Sequence, residues 1–186
     1  VLFYRALVQA SDTQAIDALV DALRDAGLNA LPIYVVSLKD PVAAAIVRKA
    51  LAEVPPDVIL NATGFAVAQS GDGADDPLAS PDCPVLQIVL STGTAEKWRE
   101  QTRGLSPRDI AMNVALTELD GRIMTRAVAF KGLVRRDESA EADIFGYLPA
   151  PDRRRKARLP GLEPGIRVPK PRVLPITPQP NGPLSA

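Results

Sequence analysis

The order of apolar and amphipathic segments in the first 62 residues constrains the fold more than any other feature of this sequence. Mostly apolar runs at 1–8, 30–38 and 58–62 suit buried strands. Between them, apolar residues recur at helical spacing after Ser11-Asp12-Thr13, whose side chains are candidate helix caps, and after Lys39-Asp40-Pro41. Strands and helices that alternate with short connections predict a parallel sheet covered on both faces.

A long connection separates the third strand from a fourth apolar run. Residues 63–84 form this connection, and residues 85–90 form the next strand. The aspartates of the connection allow a cation site, but their spacing matches no calcium-loop pattern, and a solvated loop is the alternative. The whole pattern predicts an α/β fold with a doubly wound, mainly parallel sheet, Rossmann-like or flavodoxin-like.

Short polar turns follow the third and the fourth predicted strands. Ligands bind at the carboxyl edge of such sheets, so side chains in these turns are candidates for substrate binding. Neither turn has the GxxxxGK[ST] or GxGxxG pattern of a nucleotide-binding loop. The candidates are Asn61, Thr63, Gly64, Ser91 and Thr92.

The stretch 104–126 carries a helix start and an acidic turn. Ser106 and Pro107 predict the start, and Asp109 stands where a first-turn carboxylate favours the helix dipole. The spacing of Ile110 and Val114 predicts that both face a core.

Two carboxylates, Glu118 and Asp120, come at the predicted end of this helix. Gly121 follows them and can adopt a positive φ, and a β-type run at 123–130 comes next. The residues alone leave two interpretations open. The carboxylates bind or catalyse, or they belong to a solvated turn with a glycine cap.

Composition excludes several classes of function. The sequence has no histidine, which excludes a Ser-His-Asp triad and most zinc sites from this segment. Cys83 is its one cysteine, expected to be a structural thiol in a reducing compartment. Basic and acidic residues balance at 22 each, and aromatic residues make up 4%. Neither nucleic acid nor a membrane is expected as a partner.

The composition changes near residue 149. Ten of the 18 prolines lie between Pro149 and Pro183, together with a basic cluster around Arg153. Such proline density opposes regular structure. We therefore predict an α/β domain at 1–148 and a disordered Pro/Arg-rich tail at 149–186.

Eight short blocks are spread over about residues 1–151. The blocks are LFYR at 2–5, IDAL at 16–19, GLNALP at 27–32, SLKDP at 37–41, PDVILNAT at 56–63, CPVLQ at 83–87, GLSPRD at 104–109 and ELDG at 118–121. Taken together and in this order, they resemble the CobN/magnesium chelatase family, the tetrapyrrole-binding large subunits of ATP-dependent chelatases.

The resemblance implies a partial chain of a large cytoplasmic subunit that inserts Co²⁺ into hydrogenobyrinic acid a,c-diamide during cobalamin (vitamin B12) biosynthesis. The tetrapyrrole and AAA+ cobaltochelatase motor subunits would be its partners. Those motors would use ATP and Mg²⁺, Co²⁺ would be a substrate, and this segment would bind no cofactor of its own. As an isolated piece of a metal-chelating ligase, it is expected to be inactive.

The resemblance also implies roles for individual residues. Glu118 lies in a block similar to the family's acidic motif and would accept a pyrrole proton or guide the metal. Asp120 would orient Glu118 or cap the turn. Arg5 would pair with a ring carboxylate. Two positions depart from the family pattern: Leu7 replaces a frequent histidine, and Thr117 replaces a usual proline.

Three alternatives remain open. SLKDP and CPVLQ favour the cobalt branch, but a fragment of the large (H-type) magnesium chelatase protein is the nearest alternative. A non-catalytic α/β module that binds a small molecule would have the same fold. The unusual tail is also compatible with a truncated or frame-shifted family member that retains no function.

Overall fold

The computed structural model describes residues 1–64, 76–100 and 104–150. Residues 65–75 of the long connection, and the predicted tail from residue 151 onward, lie outside the described residues. The described part ends at Ala150, which is buried and donates its N–H to the Val128 carbonyl.

Six strands form one sheet in the order β2-β1-β3-β4-β5-β6. All neighbours are parallel except β5 and β6, which form an antiparallel hairpin. The predicted doubly wound, mainly parallel α/β architecture is therefore confirmed. The strands are β1 (Leu2–Tyr4), β2 (Ile33–Val35), β3 (Ile59–Asn61), β4 (Val85–Ser91), β5 (Ile123–Asp137) and β6 (Ala142–Pro149).

Helices connect β1 to β2, β2 to β3 and β4 to β5. Asp40 begins α3 by accepting the Ala43 N–H, and Pro41 occupies the first turn, as the sequence predicts. Gly27 follows α2 with φ +81°. The helices are α1 (Arg5–Gln9), α2 (Gln14–Asp25), α3 (Pro41–Glu53), α4 (Ala95–Glu100), α5 (Pro107–Ile110), a π-helical segment (Ala111–Ala115) and α6 (Leu116–Glu118).

Hydrophobic clusters cover both faces of the sheet. One cluster packs α3 against the first strands through Val47, Leu51 and Leu2. The opposite cluster packs α2 through Ile16 and Val20. A third, smaller cluster joins β4 and β5. Burial on both faces explains why the strands read as apolar runs without alternation.

Three local predictions were wrong. The first strand was expected over 1–8, but the chain enters α1 after Tyr4, because β1 reaches the carboxyl edge there and must turn back. Ser11-Asp12-Thr13 supplies no side-chain cap to α2. Ile110 is 41% exposed rather than buried, because a π-helical turn follows it and shifts which side chains face the sheet.

No helix in the described ranges is both long and apolar enough to cross a membrane.

Candidate functional site

A buried hydrogen-bond network joins the end of β3 to Gln87, the third residue of β4. Asn61 Nδ2 donates to Gln87 Oε1 at 2.7 Å, and Asn61 Oδ1 accepts from Thr63 Oγ1 at 2.8 Å. Gln87 Nε2 donates to the Thr63 carbonyl at 2.9 Å. All three residues are at most 1% exposed. Their polar side-chain groups are satisfied within the protein, so this network holds the sheet edge rigid.

A second cluster centres on Asp109, which is 1% exposed. Its carboxylate accepts hydrogen bonds from Ser91 Oγ at 2.7 Å and from Thr92 Oγ1 at 2.9 Å. It also accepts from the Thr92 N–H at 3.1 and 3.2 Å. We call Asp109, Ser91 and Thr92 the carboxylate clamp. It fixes the turn after β4 to the start of α5.

The clamp changes the interpretation of two predicted substrate-binding side chains. Ser91 is 2% exposed and uses its hydroxyl both to donate to Asp109 and to accept from the Gly93 N–H at 3.2 Å. Thr92 remains at the surface although its hydroxyl hydrogen is directed to Asp109. The turn therefore presents Thr92 and its backbone to solvent, and Ser91 has a structural contact.

Gly64 lies against the helix that covers this edge. The Tyr4 hydroxyl donates to the Gly64 carbonyl at 2.9 Å, and burial raises the pKa of Tyr4. A Cβ at Gly64 would lie 3.3 Å from both Asn113 Oδ1 and the Met112 carbonyl oxygen. Gly64 thus permits close packing between β3 and the π-helical segment.

Two arginines are exposed near the same edge. Arg5 begins α1 directly after β1, and Arg108 precedes Asp109 in α5. Neither forms an ion pair with any residue in the described ranges. Both guanidinium groups are therefore available to an anion.

The acidic turn lies at the opposite edge of the sheet. Glu118 ends α6 and is exposed. Ile123, five residues later, pairs with Leu86 near the start of β4, whereas Ser91 ends that strand. Five residues of strand span roughly 16 Å. The acidic turn is thus separated from Ser91 and Thr92 by most of the length of β4.

Asp120 is oriented inward. Its side chain is fully buried, and its Oδ2 lies 2.9 Å from Arg122 Nη2. Among the described residues, none of the three Arg122 side-chain nitrogens makes a hydrogen bond, so the short contact is an ion pair without hydrogen-bond alignment. Gly121 has φ +67°, as the sequence predicts. Asp120 is thus one half of a buried ion pair at this turn.

A cavity of about 430 Å³ lies beside this turn, between Asp120 and the segment around Cys83. Asp76 also lines it and has a raised pKa, chiefly because of burial. Burial, and then the neighbouring Asp82 and Asp57, raise the pKa of the Cys83 thiol. No group of three or more metal-ligating side chains occurs in the described part of the chain.

The two departures from the family pattern have structural explanations. Leu7 packs against the hydrophobic cluster under α2. Thr117 is buried, and its hydroxyl donates to the carbonyls of Asn113 at 2.7 Å and Val114 at 3.0 Å. Both residues therefore support packing at these positions.

Sequence reasoning missed the residues that connect distant segments. Gln87 and Arg122 are buried, and an amide or charged residue within or beside an apolar run was the available signal. Asp12 accepts the Tyr147 N–H at 2.7 Å and lies 3.4 Å from Lys131 Nζ. Nothing local in the sequence indicates these contacts.

Comparison with known proteins agrees with this architecture. The family model described as CobN/Magnesium Chelatase matches residues 1–158. The chain belongs to this family. It is 46% identical to an "Aerobic cobaltochelatase subunit CobN" from Sinorhizobium sp. over 84% of the chain and 12% of that protein. It is 44% identical to the Pseudomonas aeruginosa protein of the same name, over 80% of the chain and 12% of that protein.

The magnesium branch of the family is less similar. The large (H-type) magnesium chelatase protein of Rhodobacter capsulatus is 28% identical over 82% of the chain and 14% of that protein. Among solved structures, the "Catalytic Subunit of Cobaltochelatase from Mycobacterium tuberculosis" aligns with a TM-score of 0.64 and 31% identity. That alignment covers 81% of this chain and 13% of the other. The chain thus spans about one eighth of the length of these family members.

Proposed function

We propose that this chain is a segment of the large, tetrapyrrole-binding subunit of an ATP-dependent cobaltochelatase. The observation that carries the proposal is identity of 46% and 44% to two cobaltochelatase subunits, against 28% to a magnesium chelatase subunit. The substrate is hydrogenobyrinic acid a,c-diamide, into which Co²⁺ is inserted during cobalamin biosynthesis. The complex acts in the cytoplasm, and AAA+ motor subunits hydrolyse ATP with Mg²⁺.

The carboxyl edge of the sheet is the first candidate surface for the ring. Arg5 and Arg108 offer two guanidinium groups to the ring carboxylates, with Thr92 exposed on the same edge. The carboxylate clamp and the Asn61 network lie directly beneath and hold this edge in one geometry. A rigid support of this kind keeps binding groups in place before the ligand arrives.

The acidic turn is the second candidate, and its exposed carboxylate favours it. Metal insertion releases an N–H proton from the centre of the corrin ring, and Glu118 is accessible to accept it. The neighbouring cavity lined by Asp120 and Gly121 leaves room beside the turn. A ring centred on Glu118 would lie at the far end of β4 from Thr92, so the two placements can be separated by mutation.

A titration with hydrogenobyrinic acid a,c-diamide tests both the ligand and its placement. Absorbance and quenching of Trp98, the only tryptophan, report binding. We expect saturable micromolar binding, weakened about tenfold in the Arg5→Gln/Arg108→Gln variant. Glu53→Gln, on exposed α3, is the control for loss of one surface charge.

The Glu118→Gln variant decides between the two surfaces. If the Glu118→Gln variant binds the ring as tightly as the wild type and the arginine variant binds it more weakly, the carboxyl edge is favoured. If only the Glu118→Gln variant binds more weakly, the acidic turn is favoured. No binding by a folded wild-type chain contradicts the proposed function. A dicarboxylic free-base porphyrin that binds more tightly than the corrin precursor would assign the chain to the magnesium branch.

Metal insertion itself needs the whole complex. We expect no change in the absorbance spectrum of the ring when this segment alone is mixed with Co²⁺ and ATP. Spectral conversion by the segment alone would contradict its assignment as one part of a motor-driven enzyme.

A further inference from the structure

The β5–β6 hairpin extends past the end of the parallel sheet. The last registered pair between β4 and β5 is Ser91 with Phe130. From Lys131 to Asp137, β5 pairs only with β6. This arm therefore rises beside the carboxyl edge, and the Lys131 N–H donates to the Gly93 carbonyl at 2.9 Å where the arm begins.

Two cross-strand pairs occupy one face of the arm. Lys131 pairs with Tyr147, and Leu133 pairs with Phe145, two residues further along both strands. Side chains two residues apart on a strand share a face, and cross-strand partners lie side by side. The register shift in this hairpin comes after Leu133 and leaves the two pairs in step. We call these four residues the arm platform.

The outer part of the platform is apolar and uncovered. Leu133 is 51% exposed and Phe145 is 60% exposed. Toward the sheet, the Lys131 ammonium lies 3.8 Å from the centroid of the Tyr147 ring. The outer end of the platform is thus apolar and its inner end carries a cation, and the two ends are roughly 7 Å apart.

The base of the arm is fixed to the body of the protein. Asp12 accepts the Tyr147 N–H and pairs with Lys131 Nζ. Gly146 allows this approach, since a Cβ there would lie 2.5 Å from Asp12 Oδ1 and 2.7 Å from Val134 Cγ2. Hairpins of two strands are marginally stable alone, and these contacts set the direction of the arm.

We propose that the arm platform binds the flat face of the carboxylate-bearing tetrapyrrole. The inference rests on the proposed function and extends it to residues outside the motifs found in the sequence. Leu133 and Phe145 match an apolar macrocycle, and the base of the arm adjoins the edge where Arg5 and Arg108 complement carboxylates at its rim. The fixed base presents this surface without reorganisation.

The test compares two pairs of exposed apolar residues in the full 186-residue chain. Leu133→Ser/Phe145→Ser removes the outer platform. Val42→Ser/Ile46→Ser is the matched control on α3, where the residues are 66% and 61% exposed. Hydrogenobyrinic acid a,c-diamide is the probe, followed by its absorbance. We expect about tenfold weaker binding in the platform variant and unchanged binding in the control. Two single variants at Phe145 complete the test. Phe145→Ser should lose affinity for the ring, whereas Phe145→Tyr, which keeps an aromatic ring, should bind almost as tightly as the wild type.

Thermal unfolding is measured on each variant, and we expect no loss of folded protein because all four side chains are exposed. Wild-type binding that both pairs of substitutions leave unchanged overturns the inference and leaves the proposed function standing. An equal loss of affinity in the α3 control shows non-specific adsorption and also overturns the inference.

The oligomeric state provides a further outcome. If the wild type is a dimer, and the platform substitutions dissociate it without changing the affinity for the ring, the platform binds a second copy of the chain. A folded wild-type chain that does not bind the ring contradicts both proposals.

Discussion

The buried carboxylates at the two edges of the sheet have different kinds of partner. At the carboxyl edge, Asp109 is surrounded by donors and accepts hydrogen bonds from two hydroxyls and a backbone N–H. At the amino edge, Asp120 faces Arg122, whose side-chain nitrogens make no hydrogen bond within the described residues. Burial alone therefore does not identify a functional carboxylate, because both buried carboxylates have partners within the protein. The partners differ in kind: Asp109 accepts hydrogen bonds, and Asp120 forms an ion pair.

The largest expected effect comes from breaking the buried ion pair. Asp120→Ala removes the carboxylate that pairs with the buried Arg122 guanidinium, which should cost about 3–5 kcal/mol of unfolding free energy. Replacing both residues, as Asp120→Ala/Arg122→Met, should recover most of that loss because neither charge of the pair is left without the other. Chemical denaturation of the two single variants and the double variant measures this. Strictly additive losses would show that the pair does not interact as the geometry indicates.

The carboxylate clamp should respond differently. Asp109→Asn replaces an acceptor by an amide that cannot satisfy all the donors, and we expect a loss of about 2–3 kcal/mol. Asp17→Asn is the control, since Asp17 also accepts a hydroxyl hydrogen bond, from Thr13, but at an exposed site. Denaturation midpoints that fall equally in both variants would contradict a special role for the buried clamp.

A smaller effect is expected from the backbone of the acidic turn. Gly121 has φ +67° and open space around the position of a Cβ. Gly121→Ala should therefore cost about 1 kcal/mol from backbone strain alone. Gly121→Asn should cost less, because asparagine tolerates this conformation better than alanine. Equal stability of the wild type and the alanine variant, measured by thermal unfolding, would show that the turn relaxes.

The smallest expected effect concerns pH at the amino edge. The folded-state pKa of Asp76 is raised, mainly by burial. Its ionisation therefore opposes folding above that pKa, and this penalty disappears as the pH falls below the unfolded value near 3.8. Asp76→Asn should stabilise the protein at pH 7 and make little difference at pH 3. A variant that is less stable at pH 7 would show that the Asp76 carboxylate contributes favourably.

Local patterns predicted the elements whose causes are local. Apolar runs identified the parallel strands, and Ser106 caps α5 by accepting the Asp109 N–H at 3.1 Å. Asp109 itself was assigned to the helix dipole because its partners, Ser91 and Thr92, are 18 and 17 residues away. A side-chain contact over that separation depends on how the sheet closes, which no local pattern encodes.

The candidate site shows the same limit. The sequence selected polar residues after two strands. It could not show that the side chains of Asn61, Thr63 and Ser91 form hydrogen bonds with partners inside the protein. It also could not show that β4 lies between Glu118 and Thr92. The antiparallel arm was missed entirely, because the prediction ended β5 at Phe130, and the pairing of Leu133 with Phe145 requires the return strand.

Amide chemical-shift mapping of the ¹⁵N-labelled chain, with and without hydrogenobyrinic acid a,c-diamide, tests the central claim most directly. We predict shifts concentrated at Thr92–Thr94, around Arg5, and on the arm from Lys131 to Phe145, with the amides of Glu118–Gly121 unmoved. Shifts confined to Glu118–Gly121 and the residues lining the cavity beside it, with the arm unmoved, would contradict this account and place the ring at the acidic turn.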